Sequence, residues 1–261
     1  MSRSRALLNV LNLVNEEVPV EQAFLRDLKA SIEKNEANNV HVASKTYKPS
    51  GMNCIRFMWF QMMGAIPKQD TKSAELVCIC ESGTDRHERI QNAITAMKDN
   101  GIDCEYLDVG EYVKSRNLED VDVLSKSGNE TKLHNKRYNL NFLCDGVIRY
   151  KGKYYILEIK TETRDKFWQQ TGVMPEHYLQ GTAYSLSLEI DDVLYLYECR
   201  DNCAKKCYLL HITPDMKNDL VAKIITCDSY VENNTCPPKP QNLTKSACAY
   251  CNYAEECKRY V

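Results

Sequence analysis

The sequence lacks long apolar runs, an excess of positive charge and any internal repeat or low-complexity tract. No apolar run reaches the roughly 18 residues that a membrane-spanning helix needs, so we expect no membrane partner. The formal net charge is -2, which excludes a chain that is basic throughout. Any attraction to nucleic-acid phosphate must therefore come from a local patch. Hydrophobic residues at 43% and charged residues at 27% are ordinary for a globular protein.

A secretion signal is also lacking. The opening Met-Ser-Arg-Ser-Arg precedes an apolar stretch, but Asn9 and Asn12 interrupt it and no small-residue cleavage site follows. We therefore expect a mature N-terminus and a cytoplasmic location. There are 13 cysteines. In a reducing compartment, C-x-x-C pairs bind metal more often than they form disulfides, so we expect bound metal.

A chain of 261 residues can bury a substantial core, and we expect a single domain over residues 1–261. Apolar periodicity predicts four helices and a strand-rich middle. Thr84 or Asp85 is predicted to cap the second helix. This order of elements favours an α/β or α+β domain. The predicted helices are 17–36, 85–99, 176–189 and 214–228, and the predicted strands are 121–124, 132–134, 139–150, 153–161, 193–199 and 206–212.

The central feature is a predicted hairpin whose turn is Lys151-Gly152. A two-residue turn at these positions pairs Tyr150 with Lys153. Counting back along one strand and forward along the other then places Asp145 opposite Glu158. Directly opposed side chains lie about 4.5–5.5 Å apart at Cβ, and like charges there are destabilising unless a cation lies between them. Because side chains alternate along a strand, Glu158 and Lys160 share one face while Ile159 points into the core.

These groups suit phosphodiester hydrolysis. Two carboxylates bind a hard divalent ion such as Mg²⁺ or Mn²⁺, which polarises phosphate and activates water, while Lys160 orients that water or stabilises developing charge. The pattern D-x(n)-E-x-K is loose, and a surface hairpin with scattered charges is the alternative. Apolar residues such as Ile156 and Ile159 instead indicate a buried strand, in which an unpaired charge is costly.

Four segments follow one another in the order of the motifs of the PD-(D/E)XK nuclease superfamily, and the chain resembles its RecB-like branch from about Tyr47 to Cys257. The four segments are Gly83-Thr84-x-x-His87, Asp145-Gly146, Glu158-Ile159-Lys160 and Gln180-Gly181-Thr182-Ala183-Tyr184. The resemblance implies an α/β, restriction-endonuclease-like core, with a central mixed sheet flanked by helices, over about residues 80–228.

The resemblance also implies roles for individual residues. His87, Asp145 and Glu158 would be metal ligands together with the Ile159 carbonyl, and Lys160 would be the catalytic lysine. Gln180 and Tyr184 would line the DNA path; they lie one helical turn apart and can face one groove. The alternatives are a helical histidine with an ordinary hydrogen bond at position 87 and an ordinary amphipathic helix around Gln180.

Three cysteines near the C-terminus, in the spacing Cys248-x2-Cys251-x5-Cys257, supply three thiolates, and a fourth must come from elsewhere. Cys236 would complete a local zinc site. Cys54 instead resembles the upstream cysteine of Cas4-like proteins and AddB-type nuclease domains, which implies a [4Fe–4S] cluster held by the Cys54 segment, a helical N-terminal part and residues 232–261. A Cys54 ligand would close a loop of nearly the whole domain, so that losing the cluster would be a folding defect.

The sequence therefore predicts a Mg²⁺- or Mn²⁺-dependent DNA exonuclease acting on single-stranded ends. The resemblance implies 5′-to-3′ polarity and a role in bacterial recombination and repair or in phage DNA metabolism. It is also compatible with assembly into a homo-oligomer. A non-catalytic DNA-binding or adaptor module with the same fold and cluster is the alternative. A zinc-tailed endonuclease is a third hypothesis.

Overall fold

The computed structural model describes residues 18–37, 44–68, 72–127, 130–241, 243, 245–249 and 251–260. The chain divides into two compact units, one made of Met1–Val40 with Gln69–Glu81 and the other of His41–Lys68 with Ser82–Val261. None of the helices in the described ranges is both long and apolar enough to cross a bilayer.

In the smaller unit, the described residues form helix α1 (Val20–Ala37) and the first turns of helix α3 (Ala74–Thr95). Polar contacts join these two segments. Lys29 and Glu75 form an ion pair at 2.5 Å, and the backbone N–H of Ala74 donates to the carboxylate of Glu33 at 3.1 Å. The predicted helix over 17–36 corresponds to α1.

The larger unit contains every residue named as a candidate ligand or catalytic group in the sequence. Its elements after α1 are α2 (Ile55–Met62), the rest of α3, β1 (Cys104–Leu107), α4 (Val109–Ser115), β2 (Val121–Ser127), β3 (Glu130–Asn135), β4 (Leu140–Cys144), β5 (Gly146–Tyr150), β6 (Lys153–Glu162), α5 (Arg164–Gln169), α6 (Tyr178–Leu188), β7 (Asp192–Cys199), β8 (Lys205–His211), α7 (Pro214–Glu232), α8 (Lys245–Ala249) and α9 (Ala254–Cys257). Short 3₁₀ turns occupy Pro49–Gly51 and Pro175–His177.

The central sheet has five strands in the order β1-β5-β6-β7-β8. β6 and β7 are parallel and the other pairs are antiparallel, so the sheet is mixed. Helix α3 packs on one face, where Ile90 joins a buried cluster with Leu157 and Ile159. Helix α6 packs on the other, where Ala183 and Tyr195 are both fully buried. The predicted fold class, α/β with a central mixed sheet flanked by helices, is confirmed.

The predicted hairpin is confirmed with its register. Tyr150 pairs with Lys153, and Gly146 pairs with Leu157, as a two-residue turn requires. Lys151 and Gly152 have φ angles of 48° and 78°. Positive φ at both turn positions is the type I′ geometry whose twist matches a two-residue hairpin.

Two predicted boundaries are wrong. Helix α3 begins at Ala74, so Thr84 and Asp85 lie inside it and do not cap it. The predicted strand 139–150 is divided at Asp145 into β4 and β5, which belong to different sheets. β4 pairs with β3 in a three-stranded antiparallel sheet, so the chain changes sheets at the residue that carries the first predicted carboxylate.

Candidate active site

Asp145 lies at the junction of the two sheets, where its carboxylate is held from two sides. Oδ2 accepts the backbone N–H of Ile159 at 2.7 Å, and Oδ1 lies 3.1 Å from Nδ1 of His87. Its own carbonyl oxygen accepts hydrogen bonds from Gln91 at 2.7 Å and from the hydroxyl of Tyr106. These four contacts, two to the carboxylate and two to the backbone carbonyl oxygen, hold a residue that is only 8% exposed.

Gly146 makes the close packing around Asp145 sterically possible. A Cβ atom at this position would lie 2.6 Å from the ring of Tyr106, which is closer than any carbon contact allows. The Asp145-Gly146 pair in the sequence therefore has a local reason: the glycine admits the tyrosine that binds the aspartate carbonyl oxygen.

A third group that could hold a metal ion lies near His87 and Asp145, and the sequence did not indicate it. Glu130, at the start of β3, has a carboxylate oxygen within 4.8 Å of ligand atoms of both residues. Burial raises the pKa of Glu130, and the charge of Asp145 raises it further. Burial lowers the pKa of His87, but the hydrogen bond and charge of Asp145 outweigh this effect and raise it overall. One imidazole and two carboxylates in this arrangement suit a divalent cation.

Glu158 lies 3% exposed beside this group. Its Oε1 accepts the ammonium of Lys160 at 2.6 Å and the amide of Gln180 at 2.7 Å. Its Oε2 is buried and has no hydrogen-bond partner among the described residues. Burial, with the charge of Asp145, raises the pKa of Glu158 to about 7, although Lys160 opposes the shift. An unpaired buried carboxylate oxygen is costly, and a cation would relieve that cost.

Gln180 and Tyr184, predicted on one helical face, do lie together on α6. The side-chain Oε1 of Gln180 accepts a hydrogen bond from the ammonium of Lys160 at 3.0 Å, and its Nε2 also donates to the Tyr184 hydroxyl at 2.7 Å. That hydroxyl donates in turn to the carbonyl oxygen of Leu143 at 2.8 Å. Tyr184 is only 3% exposed, so its position beneath Gln180 orients the amide, and its predicted contact with DNA stays a prediction.

One cavity of about 530 Å³ is lined by Glu130, Asp145, Glu158, Gln180 and Tyr184. Cations also line it, namely Lys48 and Lys132. The rim therefore offers positive charge to an anionic ligand although the whole chain is slightly acidic. Asp145 and Glu158 both line this space, one residue beyond the last strand pair, Gly146 with Leu157.

Two arginines anchor α3 next to His87. Arg86 and Arg89 lie 2.9 Å and 2.6 Å from the carboxylate of Glu198 on β7, which is fully buried. Lys205 lies 2.9 Å from the other oxygen of the same carboxylate. Burial raises the pKa of Glu198, but the hydrogen bonds from the three cations outweigh it and lower the pKa overall. Glu198 thus ties the helix segment that carries His87 to the central sheet.

A second cavity, of about 510 Å³, is lined by four of the predicted cluster ligands: Cys54, Cys248, Cys251 and Cys257. Cys54 immediately precedes α2, and the other three lie in the C-terminal segment. The sequence positions of these residues span most of the chain, yet their side chains face one space. Burial raises the pKa of both the Cys54 and the Cys251 thiols.

Cys236, the competing fourth thiolate, is not among the residues that line this cavity. Its Sγ lies 3.6 Å from the carbonyl oxygen of Pro237. Zn–S bonds of about 2.3 Å bring four tetrahedral thiolates to within about 4 Å of one another. Among the described residues, no three cysteines approach to within 4.8 Å, since the group of His87, Glu130 and Asp145 alone meets that limit.

Arg56 of α2 fastens the cysteine segment to the rest of the larger unit. Its guanidinium donates to the carbonyl oxygens of Pro237 and Tyr260, each at 2.7 Å, and to Sγ of Cys257 at 3.5 Å. Phe60 stacks on Tyr253 with ring centroids 5.3 Å apart. The C-terminal residues are therefore held in place by contacts other than the cysteines themselves.

Comparisons with known proteins give only distant structural likenesses. No family model and no curated protein matches the chain. A solved protein called SSO0001 is 14% identical with a TM-score of 0.47, covering 92% of this chain and 98% of the other. An alkaline exonuclease from Laribacter hongkongensis is 10% identical with a TM-score of 0.42, covering 73% and 89%. The same exonuclease in complex with dAMP gives a TM-score of 0.43, covering 74% and 90%. Similarity at this level assigns no activity to the chain.

Proposed function

We propose that the protein is a metal-dependent DNA nuclease whose site lies where the two sheets meet. The observation that carries the proposal is the convergence of His87, Glu130 and Asp145 to within 4.8 Å. Glu158 lines the same cavity as the other two carboxylates, and Lys160 is hydrogen-bonded to it. The buried, unpaired oxygen of Glu158 is the specific feature that a divalent cation fits. Bound there, Mg²⁺ or Mn²⁺ would polarise phosphate and lower the pKa of a water molecule.

The chain's own residues would divide the remaining work. Lys160 holds its ammonium at Oε1 of Glu158 and so stays near the reacting phosphate. Gln180 bridges Lys160 and Glu158, which keeps both in one orientation. Asp145 accepts the Ile159 N–H, and this contact fixes the peptide between Glu158 and Ile159. The Ile159 carbonyl as a further ligand is part of the proposal.

More specifically, we propose that the nuclease is an exonuclease that acts on single-stranded ends. The support is that the sequence motifs occur in the order found in the RecB-like branch of the PD-(D/E)XK superfamily. Supercoiled or closed circular DNA has no end, so it separates end-dependent from internal cleavage. We expect linear single-stranded DNA to be degraded with Mn²⁺ or Mg²⁺, and circular single-stranded DNA to resist. Labels at the 5′ and 3′ ends, tested in turn, report the polarity.

Lys160→Ala tests the site directly. We expect it to lower the cleavage rate by at least about 100-fold, because it removes a charge aimed at the developing anion. Lys153→Ala is the matched control, since this lysine lies on the same strand and is 61% exposed at the hairpin. Equal activity of Lys160→Ala and wild type would refute the site. Tight DNA binding with no cleavage under any metal would instead favour the adaptor function.

A [4Fe–4S] cluster held by Cys54, Cys248, Cys251 and Cys257 is part of the same proposal. Its support is the cavity that these four thiols line, together with the resemblance of the cysteine spacing. Anaerobic purification followed by iron, sulfide and zinc analysis tests it. Cys54→Ser should lose iron and Cys236→Ser should keep it; stoichiometric zinc without iron would reject the cluster.

A further inference from the structure

Helix α5 presents an exposed tryptophan immediately after the strand that carries Glu158 and Lys160. Trp168 is 55% exposed, whereas its neighbour Phe167 is 1% exposed and belongs to the core. Burying Phe167 fixes the helix and leaves the larger ring facing solvent. An aromatic ring of this size is normally buried, because its transfer from water is favourable.

The helix is held rigidly, so the ring is displayed in one place. The ammonium of Lys206 donates to the carbonyl oxygens of Phe167 at 2.6 Å and Gln170 at 2.8 Å. The hydroxyl of Tyr208 donates to the same Gln170 oxygen at 2.9 Å. Three hydrogen bonds from β8 thus close the C-terminal end of α5. A surface that is ordered in advance loses less entropy when it binds a ligand.

The register of the sheet relates this helix to the proposed active site. Lys160 pairs with Tyr197, and Tyr197 pairs with Lys206, so the three side chains form one row on one face. Strands lie about 4.8 Å apart, which separates the backbones of Lys160 and Lys206 by about 10 Å. The ammonium of Lys206 lies 5.6 Å from the centroid of the Trp168 ring. The Trp168 ring therefore lies at the β8 end of the row that begins at Lys160.

His177 contacts the same row of side chains. Its ring stacks against both Tyr195 and Tyr197, with ring centroids 5.9 Å from each. Burial lowers the pKa of His177 to about 4, and the charges of Lys160 and Lys166 contribute to the shift. The half-buried His177 ring thus lies on Tyr197, the residue between Lys160 and Lys206 in the row.

The charge around Trp168 suits a polyanion. Arg164 and Lys166 are exposed on the same helix, and Lys206 adds its ammonium beside the ring, against a single acid on the helix, Asp165. This local surplus contrasts with the net charge of -2 of the whole chain. Aromatic rings flanked by cations bind single-stranded nucleic acids, because every base has a face for stacking and every nucleotide a phosphate.

We infer that Trp168 is a stacking platform for an unpaired base of the DNA strand whose backbone enters the proposed active site. This inference rests on the proposed nuclease function and extends it to the form of the substrate. Stacking requires a base that has left the duplex, so the platform selects single-stranded DNA or a frayed end over intact duplex. Arg164 and Lys166 hold the neighbouring phosphates.

Intrinsic fluorescence tests the inference without any cleavage. The chain has two tryptophans, and the other, Trp59, is 4% exposed. Titration with an oligothymidine in EDTA should quench the wild-type emission saturably. Trp168→Phe, which retains Trp59, should lose that quenching although it still binds. An unquenched wild-type signal at DNA concentrations that saturate binding, measured by anisotropy of a labelled oligonucleotide, would overturn the inference.

Affinity provides the second readout. Trp168→Ala should weaken single-stranded binding by about 5- to 150-fold, the range for loss of one stacked base, and Trp168→Phe should recover most of it. Trp168→Ala should leave duplex binding nearly unchanged. If wild type cleaves DNA with metal while Trp168→Ala binds single strands as tightly as wild type, only the platform is wrong. If no metal supports cleavage, the nuclease proposal fails whatever the fluorescence shows.

Discussion

Glu198 is expected to control metal binding although it lies on the opposite face of the sheet from Glu158. Its buried carboxylate holds Arg86 at 2.9 Å and Arg89 at 2.6 Å, and His87 lies between these two arginines on α3. Glu198→Gln preserves the shape of the side chain and removes its charge. The arginines, 24% and 50% exposed, can then turn toward solvent, and the helix loses its anchor.

The expected effect is a 10- to 100-fold loss in Mn²⁺ affinity, about the loss caused by removing a residue that orients a ligand. A tenfold loss corresponds to about 1.4 kcal/mol. Isothermal titration of Mn²⁺ into metal-free protein measures it. If Glu198 acts through His87, the losses from Glu198→Gln and His87→Ala will not add in the double variant. Once the His87 imidazole is removed, Glu198 has no ligand side chain to position.

Asp192→Asn is the matched control for this experiment. Asp192 is also a buried carboxylate on β7, 5% exposed, and it pairs with Lys153 and with His211 at 2.8 Å. Its partners lie on β6 and β8 and not on α3, so we expect Mn²⁺ affinity to change by no more than about 2-fold. Fully additive losses in the cycle, or an equal loss in Asp192→Asn, would refute the positioning role of Glu198.

Three further outcomes are expected. Glu130→Gln should weaken Mn²⁺ binding at least several-fold in the same titration, whereas unchanged affinity would remove Glu130 from the ligand set. Gly181→Ala should destabilise the protein by about 1–3 kcal/mol in urea unfolding and lower cleavage, because the new Cβ would lie 2.7 Å from the Tyr195 hydroxyl and push α6 away. The hydrogen bonds from Lys153 and His211 outweigh burial and lower the pKa of Asp192 below its usual 3.8, so its contribution to stability is present above that value and disappears as the pH falls through the folded-state pKa. Asp192→Asn should therefore flatten the acid side of the stability profile, and an unchanged profile would contradict this assignment.

The hairpin was predictable because its determinants are local. The Lys151-Gly152 turn sets the register, and alternation along β6 then decides which side chains share a face. The three elements that follow α6, namely β7, β8 and α7, follow from the same kind of periodicity. No tertiary information was needed for these elements.

Glu130 was not predictable because its role depends on contacts between the two sheets. In the sequence it is one acid before an ordinary strand, with no neighbour that suggests a ligand. The turn of the chain at Asp145 brings β3 beside α3, and neither periodicity nor motif spacing reports that turn. The start of α3 was missed for a related reason: Gly83 and Thr84 favour a boundary locally, but the helix continues through both.

The convergence of the cysteines is intermediate between these cases. The spacing of Cys248, Cys251 and Cys257 is visible in the sequence, whereas the choice between Cys54 and Cys236 depends on where α2 packs. The hydrogen bonds of Arg56 to the C-terminal segment place α2 against it, and Cys54 immediately precedes that helix.

Mn²⁺ titration of wild type against Asp145→Asn tests the central claim most directly. The asparagine side-chain oxygen can still accept the Ile159 N–H, so the junction of the sheets is kept. The substitution removes the negative charge of Asp145 beside His87 and Glu130. We predict saturable Mn²⁺ binding by the wild type, and for the variant loss of that binding together with DNA cleavage. An Asp145→Asn protein that binds Mn²⁺ as tightly as wild type and still cleaves DNA would contradict the account.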